Sequence, residues 1–95
     1  MRFKADEYDE QVDALLDELI DARTYEEFGG DVGHARFAVA LELGLSDGDE
    51  REIGADGYMV LSTPAEKIEA NVARAREARA RGEPLIALVR AGAFD

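Results

Sequence analysis

Apolar positions recur at helical spacing near the start of the chain. Tyr8, Val12, Leu15, Leu16, Leu19 and Ile20 fall on one side of a helix, while Asp9, Glu10, Asp13, Asp17, Glu18 and Asp21 fill the other. The pattern predicts an amphipathic helix N-capped by Asp6, with Glu7 and Asp9 in the first turn, where the helix dipole favours carboxylates. TYEEFGG, Thr24 to Gly30, reads as a linker broken by two glycines. The character then changes. Between Asp31 and Gly44, the residues Val32, Phe37, Ala38, Val39, Ala40, Leu41 and Leu43 leave only Arg36 and Glu42 charged. A second helix, capped by Asp31 and stopped by Gly44, is therefore predicted to be apolar around most of its circumference. Such a helix needs cover on several sides, from the rest of the chain or from a second copy.

The turn signal Asp56-Gly57 separates REI from YMVLS, and the pair predicts a short hairpin or two edge strands resting on a helix. Thr63-Pro64-Ala65-Glu66 has the form of a capping box with proline at the first helical position, which predicts a helix from Pro64 to Arg81 closed by Gly82. Pro84 and Gly92 bracket LIALVRAG as a further helix, with a buried strand over LIALV as the alternative, since so short an apolar run has no decisive period. The expected fold is thus α+β and mainly helical. It is a single domain, residues 1–95, with three to four helices and a short two-stranded β element between the second and third of them. Ninety-five residues suffice for one small core.

Charge narrows the function classes. The chain has 22 acidic and 11 basic residues, a formal net charge of −11, and its basic residues are nine arginines and only Lys4 and Lys67. This composition, with its abundant alanine, resembles that of haloarchaeal proteins, in which a dense, hydrated carboxylate surface keeps the chain dissolved in screening salt. Residues 1–56 hold 17 acids and 5 bases (17 − 5, net −12), and residues 57–95 hold 5 acids and 6 bases (net +1). That asymmetry suits packing of one half on the other and pairing of two copies equally. ARAREARARG, Ala73 to Gly82, concentrates four arginines, yet at 100° per residue Arg74 and Arg81 share one side with Lys67 whereas Arg76 and Arg79 lie roughly 140–200° away. A stripe that tracks phosphates would put them together, so nucleic acid is an unfavoured partner. The start MRFKADEYDE lacks an apolar signal region, and no apolar run reaches the ~18 residues of a membrane span, so a cytoplasmic protein with no membrane partner is expected. With no cysteine, neither a disulfide nor a thiolate metal site is available.

Candidate chemistry is sparse. His34 is the single histidine and has no nucleophile in a recognisable frame, and GGDVGHA lacks both the lysine of a phosphate loop and the spacing of a dinucleotide turn. Asp47, Asp49 and Glu52 offer carboxylates, but Arg51 at the fifth and Glu52 at the sixth position break the calcium-loop pattern. The expectation is no catalytic residue, no metal and no cofactor. The candidate surface instead comprises Phe37, Val39, Leu41 and Leu43, for which cover within the chain looks incomplete, together with Arg79. Arg79 continues the apolar stripe of Ile68, Val72 and Ala75. Its stem covers apolar surface while the guanidinium reaches water, the favoured reading, or it forms a partly buried ion pair with a carboxylate of the first helix or of a partner chain.

The segment YEEFGGDVGHARFAVALELGL, with LIALVRAG before an acidic end, resembles small proteins associated with DNA-phosphorothioation operons, over about half of the chain. The resemblance implies an accessory role in a DNA-modification or defence setting and carries over no catalytic residue. The functional expectation is a small non-catalytic interaction or regulatory module that docks a protein partner or itself as a homodimer, the alternative being a nucleic-acid-binding accessory, with an enzyme a distant third.

Overall fold

Local chemistry sets most of the element boundaries in the structure, a computed structural model that describes residues 2–45 and 52–95. The elements are α1 (Tyr8–Leu19), α2 (Ala22–Glu27), α3 (Val32–Leu43), β1 (Glu52–Ile53), β2 (Met59–Val60), α4 (Ala65–Arg81) and α5 (Leu85–Arg90), with a 3-10 turn over Ala5–Glu7. The fold is mainly helical with one two-stranded antiparallel sheet. Among the described residues it has five helices where three to four were expected, and the strands therefore follow the third helix. The difference is α2, read from sequence as a linker. The Asp21 carboxylate accepts the Thr24 N–H at 2.9 Å and the Thr24 hydroxyl at 3.0 Å, which caps a short helix. Gly29 and Gly30, at φ +95° and +84°, then carry the chain out of it.

Asp31 caps α3 as predicted, accepting the His34 N–H at 2.9 Å, and Gly44 closes it at φ +89°. A Cβ at Gly44 would lie 2.6 Å from Thr63 Cγ2, so this glycine is required by its backbone and by a close neighbour. Thr63 accordingly packs on Gly44. Pro64 occupies the N-cap position of α4, one residue earlier than expected. Asp6 likewise is no cap, because it lies inside the turn that leads directly into α1. LIALV is helical, in α5.

The hairpin pairs Glu52 with Val60 and Ile53 with Met59. The N-terminal segment adds to it: the Met59 N–H donates to Phe3 O at 2.8 Å and the Ala5 N–H to Gly57 O at 2.9 Å, while Lys4 bridges Tyr58. This fixes Phe3 in the core, edge-on to Tyr8 with ring centroids 5.7 Å apart. The core further includes Leu16, Leu19, Ile20, Val39, Leu43, Leu45, Ile68, Val72, Ala75, Leu85 and Phe94. α4 buries Asn71 and Ala78 in addition to its predicted apolar stripe. The Asn71 Nδ2 donates to Leu43 O at 3.3 Å and to Phe94 O at 3.2 Å, tying the end of α3 and the last residues to one side chain. No helix among the described residues is long and apolar enough to cross a membrane.

Candidate interaction surface

A helix apolar nearly all round carries no internal instruction about which side faces in, and α3 is oriented by its neighbours α1, α2 and α4. They cover the row Ala35, Val39 and Leu43, at 0%, 4% and 0% exposure. Val39 and Leu43, expected on the interaction surface, are therefore core residues, because α1, α2 and α4 together supply the cover that looked incomplete when only the first helix and the capped helix were counted. Phe37 and Leu41, one turn apart on the opposite side, stand 58% and 50% exposed. Val32 is also exposed, at the first helical position.

The polarity of α3 is inverted. Projected at 100° per residue, Arg36 and Glu42 flank Val39 at roughly 60° on either side, while Phe37 and Leu41 lie roughly 160° away. The only two charged residues of the helix thus border its buried row, and its two largest exposed side chains are apolar. The inward guanidinium is neutralised locally. Arg36 Nη1 donates to Asp17 Oδ1 at 2.9 Å, and Nη2 donates to Asp13 Oδ1 at 3.3 Å. Hydrogen bonding to the Tyr25 side chain, and after it to Asp17 and Asp13, raises the Arg36 pKa above its ordinary value. Beside the Phe37 ridge runs a shallow groove of about 240 Å³ between α1 and α3, floored by Tyr8, Val12, Leu16, Ala40 and Leu45, with Asp9 and Asp13 at its lip.

The exposed apolar residues of the hairpin, Ile53 and Val60, do not form a shared patch. Ile53 shares a cross-strand pair with Met59, and Val60 with Glu52, so Ile53 and Val60 point to opposite faces of the hairpin. His34 is exposed on the outer side of α3. Among the described residues no group of three or more His, Asp or Glu could hold a metal ion. Asp47, Asp49 and Arg51, weighed above for calcium, lie outside the described residues, and Glu52 is an exposed strand residue.

The arginines of α4 are engaged within the chain. Arg79 is not a free snorkelling cation: it pairs with Asp21, the residue that caps α2, and both side chains are roughly one-third exposed. Arg76 Nε and Nη2 grip both oxygens of Glu18 at 2.8 and 3.1 Å, Arg74 donates to Ala93 O at 2.9 Å, and Arg81 pairs with Glu83 at 3.0 Å. The near-neutral second half thus fastens onto the acidic first half. The Arg76 hydrogen bonds lower the pKa of Glu18. That of Asp21 is lowered first by the Thr24 N–H and then by the Thr24 hydroxyl and Arg79. Comparison with protein-family models, curated proteins and solved structures finds no match for this chain.

Proposed function

We propose that the protein is a small, non-catalytic docking module that binds protein through the outer side of α3. The observation that carries this is the inverted polarity of that helix: charges border the buried row, while Phe37 and Leu41 face out beside an apolar-floored groove. Each of these half-exposed apolar side chains forgoes roughly half of the ~1.5–3 kcal/mol of full burial, and grouped apolar residues on a surface mark interaction sites. A nucleic-acid partner is the weaker reading. Arg74, Arg76, Arg79 and Arg81 already have acceptors within the chain, and a net charge of −11 repels phosphate. A high-salt cytoplasm is the habitat its composition favours, and the resemblance to phosphorothioation-associated proteins adds an accessory role in DNA modification as the setting.

Size fractionation of native extract tests the docking function. The wild-type protein is expected in particles heavier than its own 10.4 kDa, and the Phe37→Glu/Leu41→Glu variant at the monomer mass. Wild-type protein that runs at the monomer mass in extract overturns it.

A further inference from the structure

We infer that the occupant of this face is a second copy of the chain, docked through antiparallel α3–α3 contact about a twofold axis at the level of Val39. The inference rests on the docking function proposed above. Its first support is charge. Two bodies each carrying −11 meet with least repulsion where neither presents carboxylates. α1, α2 and α4 each carry outward acids, among them Asp9, Asp13 and Asp17 on α1, Glu26 on α2, and Glu66 and Glu77 on α4. The outer side of α3 holds Gly33, His34, Phe37, Ala38 and Leu41, with no acid among them; Glu42 borders it on the helix, Asp9 and Asp13 border it across the groove, and Arg36 is occupied by Asp13 and Asp17. A basic partner would be drawn to the carboxylate faces. An uncharged window in an acidic surface suits a like-charged partner, and a second copy is one.

The second support is self-complementarity. In the antiparallel twofold arrangement Phe37 of each copy lies against Leu41 of the other, and Gly33, Ala38 and Ala40 leave room for the helices to approach to ~8–10 Å. The two helix dipoles then oppose each other.

The third support is area, which sets the strength. A standard interface takes ~800 Å² per partner. That would be about one-seventh of the 5739 Å² surface of this chain. One crossing of helices about 18 Å long provides less, so the contact belongs with weak, concentration-dependent interfaces. Molar salt strengthens it by shortening the Debye length to about 3 Å.

Sedimentation of the purified protein in 2 M potassium chloride tests this. The weight-average mass is expected to rise from 10.4 kDa towards twice that value across the micromolar to millimolar range, and less so in dilute salt. Phe37→Glu and Leu41→Glu should each weaken association at least tenfold while leaving the helical circular dichroism unchanged. Because the chain has no cysteine, Phe37→Cys and Leu41→Cys variants can be mixed and oxidised. Antiparallel packing yields mainly the mixed disulfide, whereas predominant like-with-like disulfides overturn the arrangement. A monomer at every concentration overturns the second copy as occupant. If the same protein is still heavy in native extract, docking stands and the partner is a different chain. A dimer insensitive to both Glu substitutions places the contact elsewhere and overturns the inference.

Discussion

The two sides of α3 carry similar side chains and meet opposite fates. Val39 and Leu43 lie in the core, whereas Phe37 and Leu41, on the same twelve-residue helix, stand in solvent. Apolar content therefore does not separate packing from recognition here; what separates them is the cover that α1, α2 and α4 provide. The largest expected difference follows directly. Leu43→Ala removes a fully buried side chain and should cost about 2–5 kcal/mol, while Leu41→Ala should stay within about 0.5 kcal/mol. Denaturant unfolding of both variants in molar salt, at a protein concentration low enough to keep the chain monomeric, measures the contrast. Equal losses would erase the distinction between the two sides.

The inner side is also anchored at its end. Asn71→Leu keeps the branching of the side chain but leaves Leu43 O and Phe94 O without their donor, at an expected cost of about 1–3 kcal/mol. The same unfolding measurement, with hydrogen exchange at the C-terminal turn, locates the loss. At the other end of the helix, Asp31→Ala removes the bond to the His34 N–H and should cost about 1 kcal/mol, read as a lower thermal midpoint.

What could be read from the residues followed the range of the interactions. Asp31 and Gly44 bounded α3 because a cap and a left-handed glycine act within one turn, and Gly82 and Gly92 behaved alike at φ +72° and +69°. α2 was missed because its stability begins with Asp21, which the pattern had already assigned to the polar side of the first helix. The outward side of α3 was illegible for a physical reason. Its two charges border the core, Arg36 being accommodated by Asp13 and Asp17 from another helix, so charge did not mark the outer side. Asn71 and Arg79 follow the same logic. Both sit on the buried stripe of α4, and each finds its partner 23 to 58 residues away.

The smallest effects concern the ion pairs that hold the acidic half to the near-neutral half. Glu18 and Asp21 have lowered pKa values in the folded state. They therefore contribute stability above their ordinary values of 4.5 and 3.8, and that stability is lost as pH falls through the folded ones. Both pairs are one-third to one-half solvent-exposed, so screening applies and Arg79→Gln should cost under about 1 kcal/mol at neutral pH. It should also reduce the loss of stability between pH 5 and pH 2, measured by thermal melts in molar salt. An unchanged acid profile would remove Arg79 from the contact between the halves.

Hydroxyl-radical footprinting of the same chain in two states tests most directly whether the outer side of α3 is a docking surface. In dilute purified protein Phe37 and Leu41 should be oxidised at the rates of exposed side chains, and Phe94 and Leu43 slowly. In native extract, Phe37 and Leu41 should become protected at least several-fold while Phe94 and Leu43 remain as they were. Oxidation of Phe37 and Leu41 at equal rates in the two states would contradict docking through α3.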